Sequence, residues 1–147
     1  MLLKELSELN GVSSRETPVR HLIRDRIGGK VDSISTDRLG NLIALKGQTK
    51  KGPKIMLSAH MDEVGLMVVG IDPSGLLKIK TVGGIDERVL ISKRVLVGPK
   101  QIPGVIGAKP IHLQEREERQ NPMKISALFV DVGATDRSDA EKDVKIG

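Results

Sequence analysis

Two side chains of metal-ligand type lie two residues apart at the end of an apolar run. Ile55–Ala59 is apolar except for Ser58, and His60 and Asp62 follow it. In an extended backbone, residues i and i+2 project to the same side, so these two side chains can be neighbours. One imidazole nitrogen could then bind a metal ion while the carboxylate holds the other ring nitrogen. Because open α/β sheets place their chemistry where apolar strands end, the pair is a candidate metal site.

The same pair has a second interpretation that needs no metal. His60 could be a buried histidine whose ring is hydrogen-bonded to Asp62, because buried polar groups require partners. A histidine and an aspartate at this spacing occur often by chance, and the residues alone leave both interpretations open. The neighbouring Glu63 is assigned no chemistry.

The composition is typical of a folded globular protein with no thiol chemistry. The chain has 147 residues, of which 38% are hydrophobic and 29% charged, and it contains no cysteine. The absence of cysteine excludes disulfides, thiolate metal sites and a cysteine nucleophile. The N-terminus carries charge too early for a signal peptide, and no apolar run has the length of a membrane span. We therefore expect a cytoplasmic protein with no membrane partner.

The net charge of +5 does not indicate nucleic-acid binding. Basic residues are interspersed with acidic ones, as in the segment 115–119, rather than gathered on one stripe. One phenylalanine, no tyrosine and no tryptophan leave almost no aromatic surface on which bases could stack. The favoured interpretation is a solvated charged surface. We interpret Glu117 and Glu118 in the same way, as solvated surface charges.

The apolar spacing predicts two helices at the start of the chain. Leucines three and four residues apart indicate a first helix over residues 2–9. Ser13 and Glu16 have the spacing of a capping box, which predicts that a second helix begins there. Its buried face is predicted to consist of Val19, Leu22, Ile23 and Ile27.

Strand patterns follow these helices. Alternation from residue 31 and the turn residues Asp37–Gly40 predict a β-hairpin. The near-continuous apolar run Ile55–Ala59 predicts a central strand buried on both faces. Residues 1–65 are therefore predicted to form part of an α/β domain.

After Gly65 the sequence consists of short apolar segments separated by glycine and proline. The turn residues Asp72–Gly75 predict a hairpin between the segments on either side of them. Further strands are predicted at Val89–Ile91, Arg94–Val97, Val105–Ala108 and Leu128–Val132, and a short helix capped by Asp136 or Ser138. This pattern predicts that residues 66–147 form a β-rich, barrel-like or sandwich domain.

Several segments together resemble the M42 family of metallo-aminopeptidases. Ser58-Ala59-His60-Met61-Asp62-Glu63-Val64-Gly65 is similar to the first metal-site motif of that family. The likeness continues, in the family's order, through Thr36–Asn41, Gly104–Leu113 and Leu128–Ala134. It covers essentially the whole chain.

The resemblance implies an α/β catalytic domain followed by a β-rich dimerisation domain at residues 66–147. It implies two divalent ions, zinc or cobalt, bridged by an aspartate, with a glutamate as general base. His60 corresponds to the first metal-ligand histidine, and Asp62 to the catalytic-site aspartate that orients it. The implied substrates are peptides with free N-termini, and the implied assemblies are homo-oligomers: dimers and, in many members, dodecamers.

The resemblance also implies that the remaining ligands and the general base lie beyond Gly147. A catalytic zinc uses about three protein ligands, and neither His21 nor His112 replaces the missing ones. We therefore expect a chain that is inactive alone and binds metal weakly at most. The alternative is a non-catalytic assembly or dimerisation module. For His112, a structural role is favoured over one in a neighbouring subunit's active site.

Overall fold

The computed structural model describes residues 1–114 and 123–147, which form two compact units, Met1–Glu63 and Val64–Gly147. Helices and strands are both present, so the predicted mixed α/β character is confirmed. Among the described residues, no helix is long and apolar enough to cross a lipid bilayer. The interpretation of Glu117 and Glu118 lies outside the described residues.

The first unit consists of two helices and a hairpin. Its elements are α1 (Leu2–Ser7), α2 (Thr17–Ile27), a 3-10 turn (Gly28–Lys30), β1 (Ser33–Thr36) and β2 (Leu42–Leu45). Strands β1 and β2 pair antiparallel around the turn that contains Asp37–Gly40. Both predicted helices and the hairpin are therefore confirmed, with α1 shorter than expected.

Polar contacts from α2 connect the other elements of this unit. Arg26 forms an ion pair with Glu5 of α1. On the hairpin side, Arg20 Nε donates to the carbonyl of Gly40 at 2.7 Å. The predicted apolar face of α2 is only partly confirmed, because Val19 is buried while the other three residues are half-buried.

The expected capping box is wrong. Helix α2 begins at Thr17 with Glu16 as its N-cap, and a Glu16 carboxylate oxygen accepts from the backbone N–H of Ser14 at 2.6 Å. The hydroxyl of Ser13 donates to Asp62 instead. A partner 49 positions away along the chain has replaced the local cap.

The expected buried central strand at Ile55–Ala59 is also wrong. No described residue pairs with this segment in a ladder, and Ile55, Met56 and Leu57 are 83%, 88% and 93% exposed. An apolar run indicates that a segment can be buried, but a strand also needs neighbours for its backbone hydrogen bonds. Within the described residues those neighbours are absent.

The second unit is built on a five-stranded antiparallel sheet with the order β3-β4-β7-β6-β5. The strands are β3 (Gly65–Ile71), β4 (Leu77–Val82), β5 (Arg94–Val97), β6 (Ile102–Ala108) and β7 (Leu128–Asp131). The predicted hairpin at Asp72–Gly75 is confirmed, as are the strands predicted over the last three of these elements. The strand predicted at Val89–Ile91 is wrong, because Glu87–Val89 is a 3-10 turn whose Asp86 cap accepts from the N–H of Arg88.

One face of this sheet carries the core of the unit. Leu77, Ile106 and Val130, on three neighbouring strands, are 0%, 1% and 2% exposed. A short helix, α3 (Arg137–Glu141), is capped by Asp136, which accepts from the N–H of Asp139 at 2.9 Å. This confirms the predicted cap.

The opposite face contains a close contact between Gly107 of β6 and Phe129 of β7. The two residues are register partners, and a Cβ added at Gly107 would lie 2.4 Å from Phe129 Cε2. The aromatic ring therefore covers a position where only glycine fits without displacement.

We expect Gly107→Ala to destabilise the second unit by about 1–3 kcal/mol, because the added methyl must push the Phe129 ring aside. Urea unfolding followed by the amide NMR signals of β6 and β7 measures the change. Gly84→Ala is the control, since a Cβ there meets nothing within 4 Å. Equal unfolding free energies for the two variants would contradict the packing account.

Candidate functional site

His60 and Asp62 are neighbours, as their spacing predicts. His60 Nδ1 lies 3.1 Å from Asp62 Oδ1 and 3.0 Å from the Asp62 carbonyl oxygen. Both partners are acceptors, so Nδ1 carries a ring proton, and in the neutral imidazole the lone pair is then on Nε2. The His60 side chain is 86% exposed. The burial expected in the alternative interpretation of His60 is therefore wrong, whereas the expected hydrogen bond to Asp62 is present in both interpretations. The second ring nitrogen is open to a ligand.

The second oxygen of Asp62 is also bonded. Ser13 Oγ donates to Asp62 Oδ2. This hydrogen bond lowers the pKa of the Asp62 carboxyl, the bond from His60 lowers it further, and partial desolvation opposes both effects. The carboxylate is thus held ionised, with one oxygen directed to the imidazole and the other to the hydroxyl.

A short backbone pairing holds the end of the motif in place. Val12 and Glu63 form a parallel bridge. The N–H of Glu63 donates to the carbonyl of Gly11 at 2.8 Å, and the N–H of Gly11 donates to Glu63 Oε1 at 2.9 Å. Glu63 therefore has a structural role in attaching the segment Gly11–Ser13, which we call the backing segment, to the motif.

The Ser, His and Asp side chains do not form a nucleophile triad. In such a triad the serine hydroxyl is bonded to the imidazole that removes its proton. Here the hydroxyl of Ser13 donates to the carboxylate of Asp62. The arrangement can orient an imidazole. Its contacts, from Ser13 to Asp62 and from Asp62 to His60, are those of a histidine ligand supported by a carboxylate.

The other histidines lie elsewhere. His21 is exposed on α2, and His112 is exposed in the 3-10 turn Ile111–Leu113 of the second unit. Within residues 1–114 and 123–147, no three His, Cys, Asp or Glu side chains are grouped so that they could hold a metal ion. The described site therefore offers one imidazole nitrogen and a supporting carboxylate.

The turn at Asp37–Asn41 is stabilised by its own side chains. Asp37 Oδ1 accepts from the N–H of Leu39 at 3.0 Å and from that of Asn41 at 2.8 Å. Asp37 Oδ2 accepts from Asn41 Nδ2 at 2.8 Å. These bonds lower the pKa of the Asp37 carboxyl, the Asn41 side chain contributing most. Asp37 therefore closes the hairpin turn.

Sequence reasoning missed the backing segment. The spacing of Ser13 and Glu16 predicts a helix cap, and nothing in the local pattern indicates that Gly11 lies beside the motif. A Cβ at Gly11 would lie 2.8 Å from Val19 Cγ2 and 3.3 Å from the Met61 carbonyl oxygen. The missing side chain is what allows the backing segment, α2 and the motif to approach one another.

We expect Gly11→Ala to destabilise the first unit by about 1–3 kcal/mol, because neither the branched Val19 side chain nor a backbone carbonyl can move aside cheaply. The amide signals of Met61, Asp62 and Glu63 should shift at the same time. Gly29→Ala is the matched control, with open space around its Cβ. Unchanged Asp62 and Glu63 signals in a destabilised Gly11→Ala variant would show that the backing segment does not hold the motif in position.

Comparisons with known proteins give consistent matches. A family model of the M42 glutamyl aminopeptidases matches residues 40–147. The lysyl aminopeptidase of Pyrococcus furiosus is 38% identical over 147 residues, covering 96% of this chain and 41% of that protein. The chain spans less than half of that relative's length.

Two solved structures extend the likeness to the fold. A TET aminopeptidase from the marine sediment archaeon Thaumarchaeota archaeon SCGC AB-539-E09 has a TM-score of 0.91 and 34% identity, over 99% of this chain and 42% of its own. The TET1 peptidase of Pyrococcus horikoshii, which can assemble into a tetrahedron or a large octahedral shell, has a TM-score of 0.84 and 36% identity. That match covers 98% of this chain and 43% of the TET1 chain.

Proposed function

We propose, from the premise that this chain belongs to the M42 family of aminopeptidases, that it forms the N-terminal part of a dinuclear-metal aminopeptidase. In this proposal residues 1–65 belong to the α/β catalytic domain and residues 66–147 to a β-rich dimerisation domain. The substrates are peptides with free N-termini.

The observation that carries the proposal is the exposed His60 ring, whose Nδ1 is hydrogen-bonded to Asp62 and whose Nε2 is left for a ligand. Neutral imidazole is a common ligand of zinc and cobalt, and a ligating histidine usually donates its other ring N–H to a carboxylate or carbonyl. His60 Nδ1 has both kinds of partner in Asp62, at 3.1 and 3.0 Å. The pair thus fits one ligand position of a metal centre.

The roles of the two residues differ. His60 supplies the ligand nitrogen, and Asp62 holds the ring in the tautomer that leaves this nitrogen free. Two divalent ions, when bound, would polarise the scissile carbonyl and activate a water molecule. Asp62 is the catalytic-site aspartate that the family resemblance implies, and it acts by orienting His60.

The unpaired apolar segment Ile55–Leu57 supports an incomplete catalytic domain. These side chains are more than four-fifths exposed, whereas buried apolar strands are usual next to the chemistry of α/β proteins. We propose that further residues of a complete aminopeptidase cover these apolar side chains. The chain covers 41% of the Pyrococcus furiosus lysyl aminopeptidase and 42% of the archaeal TET aminopeptidase, so each of these relatives has further residues that could do this.

We expect the 147-residue chain to have no peptidase activity alone, because one imidazole cannot hold two ions where about three protein ligands per catalytic zinc are usual. The test measures release of p-nitroaniline from lysyl- and glutamyl-p-nitroanilide with added Zn²⁺ or Co²⁺. His60→Ala provides the background. Metal-dependent turnover that His60→Ala abolishes would show a working centre and overturn the expectation.

The second candidate function is assembly. One face of the second unit's sheet carries three exposed apolar side chains on separate strands, Met67, Leu96 and Val105, which are 45%, 57% and 47% exposed. We call this the outer face. Exposed apolar side chains on one face favour association, and one of the similar structures assembles into closed shells. We propose that the outer face pairs with a second copy of the chain.

We expect Val105→Lys to weaken self-association, because the ammonium group would lose its hydration in a face-to-face contact. Sedimentation velocity over a concentration series measures the shift towards monomer. Val89→Lys is the control, since Val89 is similarly exposed but lies in a 3-10 turn outside the sheet. Identical sedimentation of wild type and both variants would count against the outer face as the contact.

A further inference from the structure

We propose that Ser13 is a positioning residue of the metal site, which fixes the Asp62 carboxylate so that the His60 ring presents Nε2 outward. That this orientation serves metal binding rests on the proposed function. The orientation itself does not depend on that function. Ser13 lies 47 positions before His60 in the sequence, outside the segment that resembles the family's metal-site motif.

The geometry assigns each carboxylate oxygen of Asp62 to one partner. Oδ1 accepts from His60 Nδ1 at 3.1 Å, and Oδ2 accepts from Ser13 Oγ. The terminal torsion of an aspartate is broad, so a carboxylate held through one oxygen can rotate about its Cβ–Cγ bond. A second bond on the other oxygen removes this freedom. Ser13 thereby sets the plane in which Oδ1 meets the imidazole.

Ser13 can do this because its own position is fixed. It lies in a turn closed by the Arg15 N–H, which donates to the Val12 carbonyl at 2.7 Å. Immediately before it, Gly11 and Val12 pair with Glu63. The backbone of Ser13 is therefore held on both sides by hydrogen bonds, and those on its N-terminal side join it to Glu63, the residue after Asp62.

His60 has little else to orient it. Its side chain is 86% exposed, and exposed side chains exchange between rotamers unless specific bonds hold them. Among the described residues, its hydrogen-bond partners are the carboxylate and the carbonyl oxygen of Asp62. A carboxylate that rotates would leave only the carbonyl contact, and the preference of the ring for the Nδ1–H tautomer would then be weaker.

Nitrogen-15 NMR of the imidazole rings tests this directly on the 147-residue chain. The chain has three histidines, so long-range proton–nitrogen spectra in alkaline buffer, where imidazoles are neutral, resolve each ring. In wild type, His60 should show the Nδ1–H tautomer. In Ser13→Ala it should become a mixture, while His21 and His112 remain unchanged.

Two further variants distinguish orientation from loss of fold. Ser13→Thr keeps a hydroxyl and should restore the wild-type His60 spectrum, whereas Ser13→Cys keeps the volume with a much weaker donor and should not. Ser14→Ala, one position along, should leave all three rings unchanged. If Ser13→Ala does not fold, the Thr and Cys variants decide the question. A His60 spectrum that is the same in wild type and Ser13→Cys would overturn the proposal.

A zinc titration separates this proposal from the proposed function. In wild type, Zn²⁺ should broaden or shift His60 Nε2 before the other rings, and Ser13→Ala should raise the concentration required by about tenfold, the lower end of the effect of removing a ligand's support. If the tautomer responds to Ser13 but Zn²⁺ never selects His60, the positioning role stands and the metal function fails. If Zn²⁺ selects His60 equally in both proteins, the metal function stands and the positioning role fails.

Discussion

The close approach of two backbones at Gly11 and Glu63 is the constraint on which the candidate site depends. It requires a residue without a side chain, because Val19 and the Met61 carbonyl occupy the space where a Cβ would lie. The approach allows two hydrogen bonds between these residues, at 2.8 and 2.9 Å. Those bonds place Ser13 beside Asp62 and so determine how the imidazole is presented. A glycine in the N-terminal segment thus controls the geometry of a site some fifty positions later in the sequence.

The two units differ in what stabilises them. The second has a contiguous core of ten buried apolar residues, most of them on the strands of its sheet, which gives it the non-directional stabilisation of apolar burial. In the first unit, Val19 is the one buried hydrophobic residue among the described residues. The helices and strands of that unit are joined by arginine contacts and the backing segment. Partly exposed polar contacts contribute little each. The candidate site therefore lies in the unit with the weaker internal stabilisation, beside exposed apolar side chains that further packing would cover.

Features that depend on neighbours in sequence could be predicted. The Asp72–Gly75 turn and the Asp136 cap are set by side chains that bond the adjacent backbone, and the hairpin β1–β2 follows from alternation around such a turn. The contact between Ser13 and Asp62 could not, because Ser13 satisfies a local capping pattern equally well and only the folded chain decides between the two. The apolar run at Ile55–Ala59 failed for a different reason. An apolar pattern shows that a segment can be buried, but no described residue packs over this one.

The bonding of Asp62 also explains why it is better suited to orient a ligand than to be one. An aspartate that binds a metal directs an oxygen towards the ion, but here one oxygen accepts from Ser13 and the other from His60. Turning either oxygen outward would break the bond from Ser13, which lowers the pKa of the Asp62 carboxyl, or the bond that favours the Nδ1–H form of the imidazole. The described residues therefore contribute a single donor, His60 Nε2, whose direction is set by successive contacts through Asp62 and Ser13 to the backing segment. A metal centre built on this donor needs every other ligand from outside the described residues, and that division is consistent with a chain spanning less than half of its relatives.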